Sequence, residues 1–304
     1  MHRLYGLLYY AGLVLAVLVI VFLIFSALPA DPARLMLGPN ATEQAVISLR
    51  QELGLDRPLA TRFASYVADL ARLELGTSFV TRRPVAPDVA VAAGATLTYV
   101  VWALLLALLY SLATSALAYF TGESVRRLVQ AMNSVCTSIP SLIVALAVGL
   151  VILGFNVLAF IGSGYKRSVV LAASALAVYP ACTLSQILIE ECVSVREKQY
   201  VVAARSAGFS ETRVYWTVVF RNALLPWLAQ LSNVAASLVA GSVIIEVVFS
   251  LPGLGRLILQ SVLRADFPMV QGVVLVTSIS FLVLNFAAEL LYARLFPQSH
   301  DLRR

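Results

Sequence analysis

The chain has 304 residues, is 60% hydrophobic and only 12% charged, and has a mean hydropathy of +0.88 with a formal net charge of +6. That balance excludes an ordinary soluble domain. The basic residues are scattered between apolar runs instead of forming a patch, so they read as a membrane-topology signal and no nucleic-acid partner is expected. The expected fold is an all-α integral membrane protein, a single multi-span bundle over residues 1–304.

Six stretches reach the roughly 20 helical residues needed to cross a hydrocarbon core. In chain order they are Leu7–Leu28, Ala95–Phe120, Asn133–Phe155, Val169–Ile189, Trp227–Val248 and Val270–Leu291. The first, with the apolar run "LVLAVLVIVFLIFSAL", exceeds a signal-peptide core, and "LPADPA" offers no clean cleavage site, so a retained span is predicted. Pro140 and Pro180 fall inside the third and fourth spans and predict kinks, their freed carbonyls re-satisfied by neighbouring helices.

Residues 29–94 form a long loop after the first span. "TEQAVISLRQELG" places Val46, Leu49 and Leu53 at helical spacing, with Thr42 as N-cap and Gly54 as stop. A second helix over Leu59–Leu73 would carry Phe63, Tyr66, Val67, Leu70 and Leu73 on one face, with Pro58 in its first turn. Both are expected to lie on the outer surface of the bundle, either as a structural cap or as a partner surface.

Between the fourth and fifth spans, residues 197–226 break the apolar pattern. "EKQYVVAARSAG" predicts a short helix with Tyr200, Ala203, Ala204 and Ala207 on one side, ended by Gly208. Ser210 caps a second helix from Glu211 through Ala223, and Pro226 begins the next span. From the residues alone this is either a plain connector or a docking hairpin whose small residues admit close approach. After the fifth span, "EVVFSLPGLGRLILQ" puts Pro252, Gly253 and Gly255 ahead of an amphipathic helix running to about Leu263. The proline and two glycines predict a specific turn at the outer mouth, either a tight loop or a gate or partner surface.

Charge sets the predicted orientation. The 29–94 loop carries seven basic and seven acidic residues and is too long to count. The remaining basic residues divide eleven to four, which places both termini and residues 197–226 in the cytoplasm. Cys136, Cys182 and Cys192 lie in or just past spans, so no disulfide framework is expected.

Catalytic signatures are absent from the sequence. His2 and His300 are terminal and have no ligand-type neighbours, so no metal site is expected. No G-x-x-x-x-G-K-[ST] stretch occurs, and Lys166 and Lys198 lack glycine-rich surroundings, so ATP is not expected to bind by that route. Glu246 and Glu289 lie near span ends, leaving no ionisable group at mid-membrane for ion coupling, and no glycine-rich broken helix stands out. Energy for any uphill transport is therefore expected from outside the chain. A self-sufficient secondary carrier is the alternative reading, and an intramembrane enzyme a third.

Ala203-Ala204, Gly208 four residues on, and Leu225-Pro226 resemble the coupling motif of importer-type ABC-transporter permeases, with Val202 in place of the motif's glutamate. "LPADPA", "LGLDRPL", "LELGTS", "GFSETRVYWTVVFRNALLP", "EVVFSLPGLGRL" and "ADFPMVQG" are similar, in order, to signatures of the dipeptide and oligopeptide branch, which also carries nickel chelates and glutathione. Leu73-Glu74 depart from that branch's Gly-Asp, and the C-terminal "FPQSHDLRR" from its usual ending. The resemblance implies a permease subunit of the bacterial or archaeal cytoplasmic membrane, surrounded by lipid. Its implied partners are a homologous second permease, two ATP-binding subunits and an extracytoplasmic substrate-binding protein. No cofactor is implied in this chain, since ATP and Mg would be held by the partner subunits. Tyr200, Ala203, Ala204, Gly208, Ser210 and Glu211 would couple to an ATP-binding subunit. Pro252, Gly253, Gly255 and Arg256 would form an outer gate or a binding-protein contact.

Overall fold

The computed structural model describes residues 2–27, 32–38, 41–52, 54–152 and 165–295. The described residues are helical apart from turns and one isolated bridge between Thr77 and Pro84. The helices are α1 (His2–Ala27), α2 (Pro32–Leu37), α3 (Glu43–Glu52), α4 (Leu59–Ala71), α5 (Val85–Thr121), α6 (Glu123–Ser138) and α7 (Ser141–Ile152), followed by α8 (Tyr165–Arg196), α9 (Gln199–Ser206) and α10 (Glu211–Val214). A π-helical turn (Tyr215–Val219) leads into α11 (Phe220–Ala229), α12 (Leu231–Val248), α13 (Leu254–Leu263) and α14 (Phe267–Leu295). Segments of α1, α5, α8 and α14 are each long and apolar enough to cross a membrane, and the number rises to six if each of two bent pairs, α6 with α7 and α10–α11 with α12, counts as one span. The predicted "LPADPA" stretch falls largely outside the described residues, and "FPQSHDLRR" entirely so.

The two prolines behave differently. Ile139, ahead of Pro140, takes the extended conformation (φ −85°, ψ 128°), the bias a following proline imposes, and α6 stops at Ser138. The chain restarts as α7 at an angle of 107°, so where a kink was predicted in the third span the helix breaks. At Pro180, α8 continues without interruption.

The chain divides into two compact units, one of residues 1–96 with 252–282, the other of 97–251 with the remainder. In the first, Thr42 caps α3 by accepting from Ala45 N–H at 3.4 Å, Val46 is buried, and Gly54 adopts φ +64° after the helix. The predicted face of α4 is present: Phe63, Tyr66, Val67 and Leu70 are half-buried, and Phe22 of α1 packs on Phe63 and Tyr66 at 5.2 and 5.7 Å. Leu73 does not join them. It lies past the helix end at φ +62° and is 80% exposed, because α4 has already closed through Arg72 and Leu73 N–H bonds to Asp69 and Leu70 carbonyls.

Three of the signature stretches meet within this unit. Asp266, just ahead of α14, accepts from the Ser78 hydroxyl and, at 3.0 Å, from Phe79 N–H, which fixes the 77–84 loop. Ser78 Oγ in turn accepts from Thr81 N–H at 3.0 Å. Gly272 lets α14 approach α5 closely, since a Cβ there would sit 2.8 Å from Val85 Cγ1. The Thr96 hydroxyl, 4% exposed as a residue, accepts from Leu254 N–H at 2.9 Å and so fixes the start of α13. Thr96→Ala therefore strands a buried donor and is expected to cost about 1–3 kcal/mol. Thr96→Ser keeps the acceptor, so the melting midpoint of purified protein should fall with alanine and recover with serine.

In the second unit, α8 is the central helix, with α6, α7, α11 and α12 packed around it. Ala172, Ala173, Ala175, Ala177 and Ala181 are buried along it, and such small side chains allow close helix approach inside a membrane. A polar cluster joins α5, α6 and α8. Buried Asn133 donates to Ser185 Oγ at 2.8 Å and accepts from Tyr110 OH at 2.9 Å, while Thr114 Oγ1 lies 2.7 Å from Ser185 Oγ. Glu246, fully buried near the end of α12, accepts from the Tyr99 hydroxyl of α5.

Candidate functional site

The 197–226 segment is built on the second unit. In α9, Val201 is fully buried in the core and Ala204 packs partly against it, so this face is fixed to the protein's own interior. Tyr200, Val202 and Ala203 are exposed on the remaining surface. Of the predicted pair, Ala203 thus faces outward and Ala204 inward. The helix ends as expected at Gly208, whose φ of +81° is the left-handed conformation that favours glycine, and a Cβ there would meet no atom within 4 Å.

Ser210 caps α10 by accepting from Arg213 N–H at 3.4 Å. The second helix runs further than its predicted end at Ala223 and is not uniform. It begins as α10, widens into the π-helical turn and continues as α11 through Pro226 to Ala229. Pro226 therefore lies inside α11, and the chain bends by 49° beyond it, between α11 and α12. The π-helical turn places Tyr215, fully buried, against Tyr119, Phe120 and Trp216 with ring centroids 4.7–5.1 Å apart.

Charge closes the turn between α9 and α10. Arg205 reaches Glu211 through two bonds, Nε to Oε1 at 2.7 Å and Nη2 to Oε2 at 3.2 Å. The Arg205 hydrogen bonds, aided by one from Tyr119, hold the Glu211 carboxyl below its ordinary range. Arg213 lies over the Phe209 ring at 4.2 Å. Sequence reasoning named Glu211 but missed Arg205, Tyr119 and Arg196, whose guanidinium lies over the Tyr119 ring. An arginine and a glutamate six residues apart around a glycine turn were the available signal for the first. Nothing local marks Tyr119, which lies 86 residues before Arg205.

The predicted outer-mouth residues belong to the first unit and differ in exposure. Pro252 is exposed, Arg256 half-buried, and Gly253 and Gly255 are buried. Gly253 takes an extended conformation (φ −136°, ψ 177°) that any residue adopts, so the twist of this turn does not rest on it. The left-handed residue here is Ser250, at φ +53°.

A groove of about 520 Å³ opens in the second unit where the third span breaks, bounded by Ser138, Pro140 and Ser141, by Tyr179 of α8 and by Ser237 and Gly241 of α12. Its size is that of a small-molecule site, and among the described residues no Asp, Glu, Lys, Arg or His lines it. The Ser138 and Ser237 hydroxyls donate to backbone carbonyls of their own helices at 2.8 Å, which leaves their lone pairs free to accept. Among the described residues no cluster of three His, Cys, Asp or Glu is placed to hold a metal ion.

Several membrane-length helices, a broken span flanking an uncharged groove, and a polar helical hairpin fixed to the core together define a multi-pass membrane permease. Residues 111–300 match the family model described as the binding-protein-dependent transport system inner membrane component, and residues 3–98 match that of its N-terminal part. The chain is 34% identical over 289 residues to the glutathione transport system permease protein GsiC of Salmonella typhimurium (strain LT2), with 93% of each covered. It is 33% identical over 296 residues to a putative peptide transport system permease protein of Brucella suis biovar 1 (strain 1330), with 94% of each covered. The chain belongs to the family of binding-protein-dependent transport system inner membrane components.

Proposed function

We propose that this permease forms half of an ATP-driven import path for peptides or a related small solute such as glutathione. A homologous second permease supplies the other half, two subunits carrying ATP and Mg attach on the cytoplasmic side, and a binding protein delivers solute from outside. Both termini and residues 197–226 face the cytoplasm in this reading, and the chain itself hydrolyses no ATP. The observation that carries it is the mounting of α9: Val201 and Ala204 are held in the core while Tyr200, Val202 and Ala203 stand exposed. A push on the exposed face of a helix so mounted reaches the core directly through Val201 and Ala204. Two further features support the path itself, the uncharged groove at the Pro140 break and the names of the relatives.

The test is to express a tagged chain with its genomic neighbours and purify it in mild detergent. P-loop ATPase subunits and a second permease are expected to co-purify, with hydrolysis stimulated by the cognate binding protein isolated with the solute it retains. Solute uptake by the chain alone in vesicles, driven by an ion gradient, would overturn the proposal in favour of a secondary carrier.

A further inference from the structure

Tyr119 occupies the last turn of α5, and its side chain is the node of the 197–226 segment. Its hydroxyl donates to Glu211 Oε2 at 3.0 Å and accepts from Arg205 Nη2 at 3.2 Å. Arg196, ending α8, places its guanidinium 5.1 Å from the ring centroid, and the Tyr215 ring lies 4.7 Å away. A single residue of α5 therefore touches the end of α8, both short helices α9 and α10, and the π-helical turn that follows them.

These contacts contribute little to folding. The Arg205 and Glu211 side chains are 30% and 53% exposed, and a solvated pair of this kind is worth about 0–1 kcal/mol. Their geometry is nonetheless over-determined, because a two-bonded guanidinium–carboxylate pair and a shared hydroxyl leave the hairpin one orientation relative to α5. The covalent chain carries a displacement of α9–α10 only into α8 and α11. Tyr215 of the π-helical turn also meets α5, at Phe120 and at Ser115 Oγ (3.2 Å), and the Tyr119 hydroxyl adds the direct tie from α9 and α10 themselves into α5.

We infer that Tyr119 is a positioning residue, latching the Arg205–Glu211 pair so that a displacement of the hairpin also moves the second span. The inference rests on residues 197–226 being the surface that meets the ATP-binding subunits. Tyr119→Phe is the diagnostic change, since it removes the hydroxyl and keeps the ring that Arg196 and Tyr215 pack on.

In the assembled transporter, Tyr119→Phe is expected to retain ATP-binding subunits and unstimulated hydrolysis at wild-type levels. Stimulation by the cognate binding protein, isolated with the solute it retains, should fall at least five-fold. Arg205→Glu and Glu211→Arg should each lose stimulation, and the double exchange should recover at least half of it. Wild-type stimulation in Tyr119→Phe, or no recovery in the double exchange, would overturn the latch. Ala203→Trp separates the two ideas. If that variant still assembles and is stimulated normally, the docking reading itself falls. If it fails while Tyr119→Phe behaves as wild type, the latch alone is wrong.

Discussion

Asp266→Ala is expected to lower the melting midpoint of the purified protein more than Thr96→Ala does. The Asp266 side chain is almost fully buried and accepts two hydrogen bonds, one from the Ser78 hydroxyl and one from Phe79 N–H. Each bond to a carboxylate contributes roughly 1.5–3 kcal/mol, so losing both costs about 3 kcal/mol or more. The loss also reaches the 77–84 loop, because Ser78 is the residue from which Val80 and Thr81 N–H take their shared acceptor. Asp266→Asn should lie between wild type and alanine. Its amide oxygen still accepts from Phe79, but its NH2 then faces a serine oxygen already accepting from Val80 and Thr81, and the serine proton loses its acceptor. Fluorescence-detected gel filtration after graded heating reads all three proteins. Equal midpoints for wild type and alanine would refute the role of this contact.

Much of the architecture was legible because the apolar runs are long and the stretches between them carry the charges and the turn residues. Helix starts and stops with a local cause, such as Thr42, Gly54, Gly208 and Ser210, stand where the residues place them. What was not legible was which of several similar local signals the folded chain follows. Pro140 and Pro180 look alike in sequence, yet one breaks its span and the other sits inside a continuous helix. Leu73 continues the apolar face of α4 by spacing, but the helix closes two residues earlier and leaves it in solvent. The glycines of "SLPGLG" read as a turn signal. In the structure they are buried, and the left-handed residue is the preceding Ser250.

The candidate site divides along the same line. Tyr200, Ala203, Gly208 and Ser210 were readable from local spacing, because a helix, its stop and the next cap are properties of a dozen consecutive residues. Tyr119 and Arg196 come to the hairpin through tertiary packing. Asn133, Ser185 and Thr114 were equally invisible, since each is an ordinary polar residue in its own span until the three helices are brought together. The signature stretches "LELGTS" and "ADFPMVQG" lie nearly 190 residues apart, and their resemblance to a family gave no hint of why they belong together. The Ser78–Asp266 contact is the physical reason.

Ala203→Trp is expected to leave the chain folded and inserted while reducing ATP-driven uptake at least ten-fold. Ala203 is exposed on α9, and large substitutions on an open helix surface usually change stability by no more than about 0.5 kcal/mol. An indole there has no effect on an isolated chain and a severe one on a chain whose helix seats in a partner's groove. Gly208→Val reaches the same end by another route. The space beside Gly208 is empty, so no side chain blocks the valine, but its φ of +81° imposes about 1–2 kcal/mol of strain on any β-branched residue. Relief of that strain turns α10 relative to α9 and pulls Glu211 from Arg205. Gly208→Asn, which tolerates the left-handed conformation, separates the two effects. If the turn alone matters, asparagine transports nearly as well as glycine. If close approach of the partner matters as well, asparagine fails with valine while the melting midpoint stays at the wild-type value. Normal uptake in both Ala203→Trp and Gly208→Val would leave residues 197–226 as a plain connector.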